Sequence, residues 1–325
     1  MKEFWRQTLA EMPGEFMIGN VVAVPDRQEP EWWAGSPSVA RDSAGTFWMA
    51  LRMRTADAPL GLRGYEIRIM RSEDGLNFTK ALSITREEAK IEGFERPCLL
   101  IDPNTGQFKL YACCPIDTNW RIIKFADAAS PDQFDASTAH PVLEPLPRIT
   151  GGPNTPTGYK DPVIIHAAGK FHCYTIGILK AERTFHHVSD DGETWVPVGD
   201  PCEPILPLTR WHNYAVRPAS VLPMGIGYLF IYEGSDTRWP DSTYCIATGL
   251  GYTLDLHTIT DITPERPLIA SPEYGRIPVW RYSQWLWVGD EIWIYAEVES
   301  EDGSHCTRRY RIERDNPALL RSAYS

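Results

Sequence analysis

A short unit, one residue then proline then a β-rich run, recurs five times along the chain, and no other feature constrains its fold as tightly. The copies are Ser36-Pro37 (SPSVARD), Arg96-Pro97 (RPCLLID), Asp161-Pro162 (DPVIIHA), Arg217-Pro218 (RPASVLP) and Ile277-Pro278 (IPVWRYS), spaced 60, 65, 56 and 60 residues apart. A turn and a second alternating segment follow each copy (GTFWMALRMR, GQFKLYACC, GKFHCYTIG, GYLFIYEGS, DEIWIYAEVE), and then a third (YEIRIMRS, RIIKFAD, TFHHVSD, TYCIATG, TRRYRIE). Alternation with period two marks strands, and self-similarity at a near-fixed spacing marks units that bury their faces against one another.

A fourth strand fits most copies (HPVLEPL, EPILPL, RPLIAS), which makes each copy one four-stranded antiparallel sheet. No sequence remains after Arg314 to supply a fourth strand for the last copy, and the early segment FMIGNVVAVP fills that place. The expectation is therefore one all-β domain over residues 1–325, a five-bladed β-propeller with blades beginning near 36, 96, 161, 217 and 277. An N-terminal strand would close the ring and remove the exposed sheet edges. A β-sandwich with chance X-Pro pairs does not account for five copies with the same sequel. The turns SEDGLNF from Ser72 and SDDGETW from Ser189 resemble shortened Asp-boxes, whose Asp accepts backbone N–H groups within the turn.

Composition agrees. There are 12 Trp and 14 Tyr, and helical runs are absent apart from the segment 86–91 and the N-terminus. A net charge of −11 argues against a nucleic-acid partner, which requires Lys and Arg to neutralise phosphates. No apolar run is long enough to cross a bilayer, and MKEFWRQTLAEMPGEF lacks an uninterrupted apolar stretch, so a cytoplasmic protein without a membrane partner is expected. The seven Cys sit mostly inside strand-like segments and read as reduced core residues; adjacent Cys113 and Cys114 lack the spacing of a zinc site. No Asp/Asn loop has calcium spacing, so neither metal nor cofactor is indicated. Oligomeric state has no signature here.

The start of a first strand and the end of a second lie at the same end of a blade, so these positions converge on one mouth of the central channel. They bring there Glu95 and Arg96, Tyr159, Lys160 and Asp161, His212, Asn213 and Arg217, Arg52 and Arg54, Glu233, Glu297, and Arg276, Trp280 and Arg281. Several carboxylates and arginines around one opening suit cleavage of a glycosidic bond, which needs a protonated acid and an ionised carboxylate. Trp32, Trp33, Trp211, Tyr214, Trp239 and Trp280 would offer flat faces to sugar rings.

The fivefold repeat, with Asp161 in its KDPVII context, resembles the five-bladed propeller glycoside hydrolases, the superfamily of families 32, 43, 62, 117 and 130. In families 32 and 43 an Asp of blade one is nucleophile or base, an Asp of blade three stabilises the transition state and a Glu of blade four is the acid. Asp161 matches the blade-three Asp. Ser36 stands where the blade-one Asp is expected, and Val216-Arg217 where the blade-four Glu would precede Pro. An alternative pair is then Glu95 from the ERP of blade two and Glu233 from the YEGS of blade four, burial at the mouth raising the pKa of Glu233 toward that of an acid.

Each candidate has a plainer alternative. Asp161 caps a turn, Glu95 pairs with a neighbouring Arg, Glu297 is solvated in the charge-rich EVESED, and His212 is a hydrogen-bonded structural residue. Arg54, Arg96 and Arg217 either bind an anionic sugar or phosphate or neutralise these carboxylates. Trp33, Tyr159, Asn213 and Trp280 complete the expected substrate-binding set, and His186-His187 is read as structural. The expected activity is exo-acting hydrolysis of short oligosaccharides by Asp161, Glu95 and Glu233. The rivals are a phosphorylase similar to family 130, a non-catalytic carbohydrate-binding propeller, and a lyase using Tyr159, Lys160 or His212.

Overall fold

The computed structural model of the chain describes residues 19–59, 61–116, 119–147, 155–179, 181–270 and 279–313. After β1 (Asn20–Ala23) the strands fall into successive groups. The first holds β2 (Trp33–Arg41), β3 (Phe47–Arg54), β4 (Gly64–Ser72) and β5 (Thr79–Thr85), and the second β6 (Cys98–Ile101), β7 (Phe108–Ile116), β8 (Asn119–Lys124) and β9 (His140–Leu143). The third holds β10 (Tyr159–Ala167), β11 (Lys170–Ile178), β12 (Glu182–Ser189) and β13 (Val196–Pro197); the fourth β14 (Ala215–Pro223), β15 (Tyr228–Ser235), β16 (Ala247–Thr253) and β17 (Thr260–Asp261). The last holds β18 (Trp280–Val288), β19 (Glu291–Glu299) and β20 (His305–Glu313). Neighbours within each group pair antiparallel, and β1 pairs antiparallel with β20 as the fourth strand of the last group. A single parallel bridge, Trp33 opposite His305, joins the last group to the first. The chain is thus all-β and built of four-stranded antiparallel sheets, as the repeat requires.

First strands touch in cyclic order, β2 to β6 to β10 to β14 to β18 and back to β2. Hydrophobic clusters fill the spaces between successive groups. One lies between the first and second groups (Trp48, Ile69, Leu110, Phe125), another between the fourth and last (Ile231, Leu250, Trp285, Ile294), and another between the last and first (Tyr295 against Val39, Met49 and Leu51). Neither face of a sheet can be left wet without exposing such side chains, so the groups stack side by side rather than pair as a sandwich.

The turns stitch the groups together. In the turn after β4, the Asp74 carboxylate accepts the N–H groups of Leu76 and Asn77, each at 2.8 Å; after β12, Asp191 does the same for Glu193 and Thr194. A third such turn follows β16, where Asp255 accepts from His257 and Thr258 at 2.9 and 2.7 Å. The sequence hid it because Leu256 (φ 65°) occupies the left-handed position that Gly75 (φ 66°) and Gly192 (φ 76°) fill in the other two. A tyrosine from the second strand of the preceding group donates to each turn: Tyr295 to the carbonyl of Gly75, Tyr111 to that of Gly192 and Tyr174 to that of Leu256. The short helix α1 (Arg86–Ala89) lies where a helical run is expected, started by a Thr85–Glu88 capping box.

Two strand assignments change. The fourth strand of the third group is Val196–Pro197, not the EPILPL segment, and that of the fourth is Thr260–Asp261, not RPLIAS. In both, the true strand follows an Asp-box turn directly, and the hydrophobic segment after it packs as a loop (Leu206, Leu268 and Ile269 are buried). The expected start of the last repeat, Ile277-Pro278 with Arg276, lies outside the described residues.

Candidate active site

Four first strands carry a β-bulge near one end, with register shifts between Gly35 and Ser38, Lys160 and Val163, Pro218 and Ser220, and Arg281 and Gln284. A bulge sets two residues against one and re-aims a side chain, a device found beside active sites. In three of them the first bulged residue is left-handed: Ser36 (φ 52°), Asp161 (φ 53°) and Tyr282 (φ 52°). Non-glycine residues pay about 1 kcal/mol or more for that conformation, so the surrounding packing must impose it. The register places Tyr282, not Ile277, in the last group where Asp161 stands in the third. The residue before each bulge faces the second strand: Gly35 faces Arg52, Lys160 faces Ile176, Arg217 faces Glu233 and Arg281 faces Glu297, while the Glu95 N–H donates to the Cys113 carbonyl at 2.8 Å. Gly35 is needed there, because a Cβ would stand 1.9 Å from Glu297 Oε2.

One buried polar cluster results. Glu297, expected at the mouth with solvation in EVESED as the plainer alternative, is fully buried; it accepts from Arg52 Nη2 (3.1 Å), Arg281 Nη2 (2.7 Å), the His305 ring (2.7 Å) and the Ser36 N–H (3.0 Å). Burial opposes its ionisation, but the two guanidiniums outweigh that and hold its pKa well below the carboxylate range, so Glu297 is a fixed anion. Arg52 also pairs with Glu95. Burial likewise pushes Glu95 up, yet Arg52, Arg54 and Lys160 keep it below its ordinary value. Glu233 behaves oppositely. It is fully buried, accepts the Tyr282 N–H, and has Arg217 Nη2 at a long 3.4 Å; here desolvation wins and the pKa rises. Asp161, fully buried, accepts from the Tyr282 hydroxyl at 3.2 Å and the Cys113 thiol at 3.4 Å.

The Tyr282 ring is ringed by the guanidiniums of Arg52, Arg96, Arg217 and Arg281, 5.0 to 5.6 Å from its centroid. Arg96 donates to the backbone carbonyls of Pro218 and Ala219. Arg217 (3.1 Å) and Lys160 (3.0 Å) share Glu182, which they hold at a pKa of about 2 against the effect of burial. The cluster meets solvent along Lys160, Glu182 and Glu95, whose side chains are 17%, 25% and 10% exposed.

The structure thus brings together Glu95, Asp161, Glu233, Glu297, Arg54, Arg96, Arg217 and Trp33, all expected at the site. It does not bring the others. Tyr159 packs edge-on against Phe185 and His187 in the core between the second and third groups. Trp280 is buried between the fourth and last groups beside Tyr310, and Trp211 and Trp239 lie in another core cluster. His212 is tied to Asp261 (2.9 Å) at the outer edge of the fourth group, and Asn213 spans a loop between the Arg210 carbonyl and the Thr237 N–H. Side chains alternate along a strand, and in Tyr159 and Trp280 the register turns the residue off the channel, whereas Trp211, His212, Asn213 and Trp239 lie in turns outside the strands. Sequence reading passed over Tyr282, Glu182 and His305. Counting back from Glu297 by the interval that separates Arg217 from Glu233 lands on Arg281 and would have flagged Tyr282; Glu182 opens a third strand and has no such signal.

The seven cysteines are free, all but Cys202 buried. Among the described residues, no group of three or more His, Cys, Asp or Glu is arranged to hold a metal ion, and no helix is long and apolar enough to cross a membrane.

The fold these sheets build is the propeller-type fold of glycoside hydrolases. A β-1,2-mannobiose phosphorylase from Listeria innocua, in complex with β-1,2-mannobiose, aligns over 93% of this chain and 96% of its own, with a TM-score of 0.66 at 13% identity. A thermostable family-43 glycoside hydrolase aligns over 90% and 94% (TM-score 0.64, 13% identity). An α-L-arabinofuranosidase from Lactobacillus brevis aligns over 89% and 92% (TM-score 0.62, 14% identity). No protein-family model and no curated protein matches the sequence.

Proposed function

We propose that the chain is a glycosidase that removes terminal sugars from short oligosaccharides, with Glu233 as general acid and Glu95 as the carboxylate that activates water or attacks the anomeric carbon. The observation that carries this reading is the opposite displacement of two carboxylates in one cluster: burial raises Glu233, while Arg52 and Arg54 hold Glu95 down. A pair driven apart in this way divides into acid and base near neutral pH. Glu233 delivers its proton to the departing glycosidic oxygen as positive charge grows on the sugar ring, and Glu95 opposes that charge or directs water to it. Asp161, which matches the blade-three Asp of families 32 and 43, is assigned to stabilise the transition state, held by Tyr282 and Cys113.

A second reading, phosphorolysis, is supported by the concentration of positive charge that the arginines around Tyr282 place in the cluster. The test is a panel of aryl glycosides, furanosides and uronides included, incubated with and without phosphate. The wild type is compared with Glu233→Gln, Glu95→Gln and Asp161→Asn. Loss of release by about 100- to 10,000-fold in folded Glu233→Gln supports the assignment. Release of a sugar phosphate only when phosphate is present moves the reading to a phosphorylase. Binding without turnover of any member leaves a carbohydrate-binding propeller.

A further inference from the structure

The cations of the cluster differ in how they are satisfied. Arg52, Arg281, Arg217 and Lys160 each face a carboxylate, and Arg96 donates to two backbone carbonyls. Arg54 has neither. It is 4% exposed, and among the described residues its guanidinium makes no hydrogen bond and has no carboxylate within ion-pair distance; its Nε is unpartnered like those of Arg52, Arg96 and Arg217, but they pair through their Nη atoms. Its guanidinium lies 3.7 Å from the centroid of the Trp33 ring, which stacks on His305 (4.1 Å, 3° between planes), itself bonded to Glu297. The group therefore lies over an aromatic platform at the mouth end of β3, close enough to Glu95 for its charge to help keep that carboxylate ionised. A guanidinium cannot discharge to escape such a site, and Glu95 acts on it only at longer range; a buried charge with no directly paired partner is costly unless a ligand supplies one.

We propose that Arg54 on its Trp33 platform is an oxyanion subsite beside Glu95, and that the anion it takes is a carboxylate carried by the sugar, so that the preferred substrate is a uronic-acid glycoside. The sugar in this statement rests on the glycosidase reading; the oxyanion does not. A single flat guanidinium with its in-plane N–H groups uncommitted matches a planar, singly charged carboxylate held by two parallel hydrogen bonds. Free phosphate is the other source of the same chemistry. It carries close to two charges at neutral pH, and the neighbouring cations that would share them are already engaged with Glu95, Glu297, Glu182 and backbone carbonyls.

The test pairs two measurements. Aryl glucuronide and galacturonide are compared with the matched glucoside and galactoside in the wild type, Arg54→Lys and Arg54→Met. Binding of glucuronate, galacturonate and inorganic phosphate is then titrated on Glu233→Gln protein with and without the Arg54 changes. The expected result is a wild-type preference for uronides that falls about 10- to 100-fold in Arg54→Met, the range for a hydrogen-bonded charged group, and is partly retained in Arg54→Lys. Should Arg54→Met fail to fold, uronate binding that is weakened but still measurable in folded Arg54→Lys supports the subsite, and binding unchanged in that variant overturns it. Turnover of neutral glycosides with no uronide preference and no uronate binding overturns the subsite and leaves the glycosidase standing. Uronate bound through Arg54 without hydrolysis of any glycoside does the reverse. Arg54-dependent binding of phosphate that uronates do not displace overturns the sugar carboxylate in favour of free phosphate.

Discussion

Glu95 and Glu233 are both desolvated, and what separates them is the distance to their nearest guanidinium. Arg52 is in direct contact with Glu95, whereas Arg217 stands 3.4 Å from Glu233 and divides itself with Glu182. If these two residues are base and acid, the pH profile follows with definite signs. Glu95 must be ionised, so activity rises with pH through a value below that of an ordinary glutamate; Glu233 must be protonated, so activity falls as pH passes its raised pKa. In Glu233→Gln the alkaline limb should vanish from whatever activity remains. A kcat/KM profile across pH 3–9 checks this, and an alkaline limb that survives the substitution would transfer the acid role elsewhere.

Individual elements act through turns rather than through strand length. Tyr295 reaches from β19 to the Asp-box turn of the first group, and that turn allows no side chain at Gly75, where a Cβ would come within 2.5 Å of Trp293 and 2.7 Å of the Tyr295 hydroxyl. Tyr295→Phe leaves the buried Gly75 carbonyl without its donor and should cost about 1 kcal/mol in urea unfolding. Gly75→Ala combines the same disturbance with a left-handed backbone and should cost more than Tyr295→Phe. Equal stability of the wild type and both variants would mean that the junction between last and first groups is held by hydrophobic packing alone.

For the whole molecule, acid stability is set by histidines that fold neutral. Burial lowers His187 to about 4, and His305 is lowered to about 4 by burial despite its bond to Glu297. His186, hydrogen-bonded between the rings of His172 and His257, falls to about 2, chiefly through burial. Each folded value lies below the unfolded one near 6.5, so the unfolded chain binds protons that the folded chain refuses as pH drops through that window. The contribution of these histidines is therefore fully present above about pH 6.5 and declines toward pH 4, by on the order of 3 kcal/mol for each of His187 and His305. Thermal unfolding at pH 7 and pH 4.5 measures it; an unchanged Tm would show that these rings accept protons in the folded state.

What the sequence determined by itself was what is local. Period-two alternation, the Ser-x-Asp-Gly turns and the Thr85–Glu88 cap each act within a few residues, so the all-β class, the order of strands, and the positions of Glu95, Asp161 and Glu233 near strand ends could be read before any packing was known. The tertiary structure decided which polar residues share the channel. A bulge of one residue exchanges the two faces of a strand, so Tyr282 entered the site while Tyr159 and Trp280 were turned into the core, and the turn before β14 carried His212 to the outer edge. It also decided charge. Glu297 lies near the end of a strand that runs into the charge-rich EVESED, and only the arrival of Arg281, Arg52 and His305 makes it a buried anion. Arg54 is left without a directly paired carboxylate for the same reason, since which groups meet in a low-dielectric interior depends on the sheets that carry them and not on the residues beside them.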